Sequence, residues 1–242
     1  MGKQKYGNRH AQAGFTLVEL AVVMIIIGLL IGGVLKGQEL IANAQVTSTA
    51  GAVKGIDAAT TTFRDTYAAM PGDMLNAGAR LANCTGSCIV AAGANVGNTR
   101  IDGNVEATPQ GNAEMIAMWQ QLSAADLIAG IDPAQQNAFG GFWPSAPIGG
   151  GFHAAFDNTG TLGSNASSRA GHYLILTDQA GAAPAGTALT ALQAARIDRK
   201  LDDGVSNTGT VFDDAGCVSA TAGVYDEANG NANCDLFVRF QN

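Results

Sequence analysis

Glu19 is the only ionisable side chain in the apolar run from Gly14 to Leu35. A carboxylate in a segment of membrane-spanning length costs about 2.5 to 3.5 kcal/mol on insertion scales, so it needs a partner or a purpose. Ahead of the run the chain carries Lys3, Lys5, Arg9 and His10 and no acid. That asymmetry keeps the first residues on the cytoplasmic side while the run enters the bilayer. An ordinary secretory signal is cut beyond its apolar run, after small residues. Here the small residue, Gly14, stands before it. A cut between Gly14 and Phe15 would leave the apolar helix on the mature chain and create a new α-amine, with an ordinary pKa of about 7.7 to 8.0.

Two other groups of residues could do chemistry. Four cysteines in a chain that leaves the cytoplasm read as two disulfides with three possible connectivities. Local closure favours Cys84 with Cys88 and Cys217 with Cys234. The unmatched C-x3-C and C-x16-C spacings and the scattered histidines argue against zinc. The carboxylates of Asp198, Asp202, Asp203, Asp213 and Asp214 form the second group. Hard oxygen ligands on a glycine-containing segment could hold calcium outside the cell, with Asp198, Asp202 and Asp203 as the candidates. No D-x-D-x-D-G loop accompanies them, so the expectation is solvated turn carboxylates and no resident cofactor. His153 and His172 read as hydrogen-bonded structural residues beside strands. The sequence has no G-x-S-x-G elbow, phosphate loop or H-E-x-x-H helix, and no enzyme is expected.

The elements that must position these residues start with a long helix. Val46, Val53, Thr60 and Tyr67 recur at heptad spacing with Thr49, Ile56 and Phe63 between them, the stripe of a helix lying on a globular domain. The helix is expected from Phe15 to Tyr67, ended by Pro71. At 1.5 Å per residue it would span roughly 80 Å, so its second half must be covered by soluble structure. Beyond it, a helix is expected over Asn112 to Ala129, with Met115, Trp119 and Leu122 on one face. Gly140 to Gly151 reads as an irregular loop packed by Phe142 and Trp143. Strands are expected at Gly151 to Phe156, His172 to Thr177 and around Leu236, Val238 and Phe240, with a second helix over Thr187 to Lys200. Together these pieces make an α+β chain with an antiparallel sheet.

Composition agrees with one membrane-inserted, exported chain. The 242 residues leave 228 after the first 14, enough for a helix and one sizeable core. Losing Lys3, Lys5 and Arg9 leaves 10 basic against 20 acidic side chains. That balance excludes a general grip on nucleic acid, which needs a basic surface to displace phosphate counterions. The 32 glycines, with many Ala, Asn and Thr, point to long polar loops.

The string Gly14-Phe15-Thr16-Leu17-Val18-Glu19 after a short basic leader resembles the class III signal of type IV pilins and type II secretion pseudopilins. The resemblance implies a cut between Gly14 and Phe15 by a prepilin peptidase that also N-methylates Phe15. It implies that Glu19 pairs with the terminal amine of a neighbouring subunit, a contact that fixes register more than it stabilises. The chain then divides into a basic leader (1–14), a transmembrane and assembly half-helix (15–35), an amphipathic half-helix (36–67) and an extracytoplasmic pilin-like domain (68–242). The implied role is a structural subunit of a type IV pilus-like filament, or else a pseudopilin of a type II secretion system or a minor pilin binding a surface, DNA or a secreted substrate. Its implied partners are copies of itself or other pilins, the peptidase, the membrane and an inner-membrane assembly platform. The implied location is the inner membrane, single-pass with a cytoplasmic N-terminus, and then an extracellular or periplasmic filament. Pseudopilins similar to this chain can carry calcium in the C-terminal region, and the Cys217 to Cys234 segment resembles the C-terminal disulfide loop of pilins. Gly28, Gly32, Gly33 and Gly37 read as close helix packing in lipid, or as a stretch that melts on entry into the filament as the resemblance implies.

Overall fold

The computed structural model describes residues 14–91, 95–103, 113–135, 138–160, 162, 168–180, 188–214, 216–219, 221 and 223–241. Residues 1–13 of the expected leader, and Asn112 and Thr187 at the expected helix starts, lie outside them. The chain divides into two units, Met1–Asn43 and Ala44–Asn242. Helix α1 (Leu17–Tyr67) contributes to each.

In the first unit the helix is apolar on every side from Leu20 to Leu35. Leu17, Met24, Ile25, Leu29 and Leu35 are all more than half exposed, and no residue of its most apolar 18-residue window is buried. A helix apolar all round suits lipid and not a soluble surface. It starts at Leu17 and not at the expected Phe15 because Thr16 is the cap: Leu20 N–H donates to Thr16 O at 3.3 Å, the first helical bond.

In the second unit α1 becomes amphipathic. Val46, Thr49, Val53, Ile56, Thr60 and Phe63 are buried, the stripe expected from their spacing. The helix ends after Tyr67, where Ala68 turns left-handed (φ 49°) and Pro71 follows. Helix α2 (Ala77–Arg80) and a 3-10 turn (Gly86–Cys88) lead to α3 (Ala113–Ala124). Helix α3 stops short of the expected Ala129 because Asp126 adopts φ 57° while Leu127 N–H reaches Leu122 O and Asp126 N–H reaches Ser123 O, a Schellman closure with Asp in the usual glycine position.

Strands β1 (Gly151–Asp157) and β2 (Gly171–Thr177) pair antiparallel. Next come β3 (Leu189–Thr190), α4 (Ala191–Leu201), β4 (Val211–Asp213), β5 (Ala232–Cys234) and β6 (Leu236–Phe240). The main sheet has the order β1-β2-β6-β4, antiparallel throughout, and β3 pairs with β5 in a small second sheet. Helix α4 begins later than expected because Thr190 caps it. Gln193 N–H donates to Thr190 Oγ1, and Thr190 N–H donates back to Gln193 Oε1.

Register puts Ala154, Leu174, Val238 and Val211 across one face of the main sheet and His153, Ile175, Phe237 and Phe212 across the other. Every residue of β2 is buried, so both faces are covered. Gln241, just past β6, fastens the sheet to α1. Its Nε2 donates to Asp57 Oδ1 and Thr61 Oγ1, each at 2.7 Å, and its Oε1 accepts from Arg64 at 2.7 Å. The fold is therefore pilin-like α+β: a long N-terminal helix whose second half packs on an antiparallel sheet.

Candidate functional site

The first turn of α1 holds the residues singled out in the sequence. Gly14 and Phe15 precede the helix, and Phe15 is 83% exposed. A Cβ added at Gly14 would meet nothing within 4 Å, so no packing against the described residues accounts for a small residue there. Glu19 does not stand alone. Its Oε2 accepts from Thr16 N–H at 2.9 Å and from Thr16 Oγ1 at 2.8 Å, while Glu19 N–H donates to Thr16 Oγ1 at 3.2 Å. This is a capping box, which satisfies helix-terminal amides that lipid cannot. Sequence reasoning missed Thr16, although T-x-x-E immediately before an apolar run is its signature. At the far end of the run Lys36 and Glu39 pair at 2.7 Å, exposed and worth little energetically.

The carboxylates at the end of α4 divide. Asp198, Asp202 and Asp203 come together, with one oxygen of each within 4.8 Å of the others. Asp214 instead accepts from Asp235 N–H at 3.4 Å. Oxygen donors at this separation could coordinate a divalent ion such as calcium. They also have partners within the chain. Asp198 is fully buried and accepts from Tyr225 Oη at 2.9 Å and Gly204 N–H at 3.2 Å. Asp202 accepts from Thr210 N–H and from Val211 N–H, the latter at 3.3 Å. Asp203 accepts from Val205 N–H at 2.9 Å and from the Thr208 hydroxyl. The three carboxylates thus tie down the 204–211 loop. Burial, and then the neighbouring Asp203 and Asp202, push Asp198 up to about 6 despite its hydrogen bonds, and burial with the facing Asp198 raises Tyr225.

A second acidic cluster was not anticipated. Buried Asp73 gathers the backbone amides of Gly97, Asn98 and Thr99. Buried Glu114, in the first turn of α3, accepts from Asp102 N–H at 2.6 Å. Burial is the main cause that lifts Glu114 to about 7, with Asp73 and Asp102 adding to it. These contacts pin the 97–102 segment against α3. Nothing in a lone Glu at a helix start signals such burial.

Cys84 is bonded to Cys88 and Cys217 to Cys234, the local pairs favoured by spacing. His153 is buried beside the rings of Phe139 and Trp143, and His172 Nε2 accepts from Ile101 N–H at 3.3 Å. Burial pushes both histidines down to about 4.

Residues 9–35 match the family model described as the prokaryotic N-terminal methylation motif. The chain therefore carries a class III prepilin signal, the type found on type IV pilins and pseudopilins. That family is a structural signal family and not an enzymatic one. No curated protein and no solved structure matches the chain.

Proposed function

We propose that this protein is a structural subunit of a type IV pilus-like filament. Prepilin peptidase cuts it between Gly14 and Phe15 and methylates the new Phe15 amine. The subunit waits in the inner membrane as a single-pass protein with its N-terminus cytoplasmic, and the assembly platform then moves it into an extracellular or periplasmic filament of its own copies or other pilins. The observation that carries this reading is the placement of the methylation motif. It begins an uninterrupted helix that is wholly exposed and apolar over a membrane-spanning length and that continues into the folded domain. A removable signal would not be built into the domain's core helix.

The glycines support the same reading. A Cβ at Gly28, Gly32, Gly33 or Gly37 would meet nothing within 4 Å. Their cost of up to about 1 kcal/mol each relative to Ala has no return inside the single chain, so the return comes from close approach of other helices. A second reading, a type II secretion pseudopilin, draws on the Asp198, Asp202 and Asp203 cluster, which suits a calcium ion. The test is to shear filaments from cells expressing the protein and identify their subunits by mass spectrometry. A mature chain beginning at methylated Phe15 in the filament fraction is expected. A chain held only in the membrane with its leader attached overturns the proposal.

A further inference from the structure

The sheet carries a cationic cavity that the filament role does not use. It measures about 530 Å³ and is lined by Arg169, Arg239, Tyr173, Phe212, Asn207 and Thr208, together with the Gly209-Thr210 turn. That volume lies within the range of small-molecule sites. Register places Arg239 of β6 directly across from Tyr173 of β2, and Arg239 N–H donates to Thr210 O at 2.7 Å. The two arginines, far apart in sequence, line one cavity because β2 and β6 pair.

The chain fixes the backbone of Arg169 and the side chain of Arg239. The Tyr173 hydroxyl donates to Arg169 O at 2.7 Å and accepts from Arg169 N–H at 3.3 Å, fixing the backbone from which the exposed Arg169 side chain extends. The Arg239 side chain lies flat over Gly171, where a Cβ would come within 2.7 Å of Nε, and its Nη2 donates to Ala170 O at 3.2 Å. The opposite wall is set by the carboxylates described above. Gly209 adopts φ +75°, while Asp202 accepts from Thr210 N–H and Asp203 accepts from the Thr208 hydroxyl.

Neither arginine of this cavity is neutralised by a direct ion pair to a described residue, although Asp202 and Asp203 stand behind its opposite wall, where they are taken up by Thr210 N–H and the Thr208 hydroxyl. Among the described residues neither guanidinium lies within ion-pair distance of a carboxylate. Arg239 Nε is buried with no hydrogen-bond partner. Asp157, whose charge also acts on Tyr173, has its oxygens taken by Thr159 and Gly160. Arg239 Nε is closed off over Gly171, so a ligand in the cavity is met by the exposed Arg169 and by the part of half-buried Arg239 that lines it. Guanidinium groups match carboxylate and phosphate oxygens, with which they form charge-assisted hydrogen bonds. The hydroxyl and amide of Thr208 and Asn207 suit a ligand with hydroxyls, and the Tyr173 and Phe212 floor suits its carbon face.

We propose that this cavity binds the oxyanion group, carboxylate or phosphate, of an acidic sugar between Arg169 and Arg239, with Asn207 and Thr208 taking its hydroxyls. The net charge of −7 works against anions elsewhere on the chain, so the site selects by local geometry and not by a general positive field. The test is isothermal titration of the full chain in a nonionic polyoxyethylene detergent with glucuronate, glucose 6-phosphate, glucose and inorganic phosphate. One acidic sugar binds and glucose does not, and the tighter of the two names the oxyanion. Arg169→Gln, an exposed change that leaves the sheet intact, weakens binding by about tenfold or more, as does Arg239→Lys. Failure of both acidic sugars to bind, or undiminished binding by Arg169→Gln, overturns the site. Inorganic phosphate binding as tightly as glucose 6-phosphate overturns the assignment to a sugar.

Discussion

The Thr16 hydroxyl and the Glu19 carboxylate hold one another across the first turn of α1, with Oγ1 to Oε2 at 2.8 Å and Glu19 N–H returning to Oγ1 at 3.2 Å. Glu19 therefore has work inside its own chain before any neighbour arrives. Capping is an uncharged task that Gln also performs, whereas pairing with a neighbour's amine needs the carboxylate.

That difference separates the two roles. Thr16→Val removes the cap at about 1 kcal/mol and should reduce filament yield modestly. If Glu19 pairs with a neighbour's amine as the prepilin resemblance implies, Glu19→Ala and Glu19→Gln should both reduce it strongly, because one side of that pair would be lost at about 3 to 5 kcal/mol. Membrane insertion should improve slightly in both, since the intramembrane charge is gone. The measurement is filament yield against membrane-held mature subunit for each variant. Wild-type assembly by Glu19→Gln alongside failure of Glu19→Ala would make Glu19 a cap and nothing more.

Processing follows from Gly14. A Cβ there meets none of the described residues, so Gly14→Leu should fold and insert normally yet keep its leader. Immunoblot mobility and N-terminal sequencing read this directly. A Gly14→Leu chain cut at Phe15 would show that the small residue is not what the peptidase selects.

The disulfides should differ in worth. Chain-entropy reasoning gives the Cys217–Cys234 loop, with a separation of 17 residues, about 1 kcal/mol more stabilisation than Cys84–Cys88, with a separation of 4. Cys217→Ser/Cys234→Ser should therefore lower Tm further than Cys84→Ser/Cys88→Ser. Equal losses in thermal unfolding would contradict this. Non-reducing peptide mapping that links Cys84 to Cys217 would overturn the pairing itself.

Buried Glu114 makes stability depend on pH. Its carboxyl rises from an ordinary 4.5 to about 7 in the folded chain, so the folded state holds the proton more tightly than the unfolded one. The stability this contributes is complete below pH 4.5 and is lost as pH rises towards 7. Asp198 acts in the same direction up to about 6. His153 and His172, pushed down to about 4, oppose them by losing stability as pH falls from 6.5. Glu114→Gln isolates the first effect: its Tm should exceed the wild type's by more at pH 8 than at pH 4.5. A Tm difference independent of pH would refute the assignment.

What the sequence displayed depended on period and length. The stripe from Val46 to Phe63 was legible because it repeats over many turns, and β2 because its residues form an apolar run bounded by Gly171. Strands β3, β4 and β5 were not legible, since two or three residues carry no period and their partners lie far along the chain. The Thr16 and Glu19 box is legible as T-x-x-E before an apolar run. Asp198, Asp202 and Asp203 were found as a group because they are neighbours in sequence. Arg169 and Arg239 could not be, because only strand pairing unites them.

The sheet order also sets a timetable for biogenesis. Strand β6 sits between β2 and β4, and Gln241 beyond it reaches back to Asp57 and Thr61 of α1. Until residues 236–241 have been synthesised, β2 and β4 each lack the strand that joins them, and open edges recruit other chains. In a subunit anchored through α1 and exported as proposed, residues 236–241 would arrive on the same side of the membrane as the rest of their domain. There the missing strand is supplied by the same polypeptide before another can take its place.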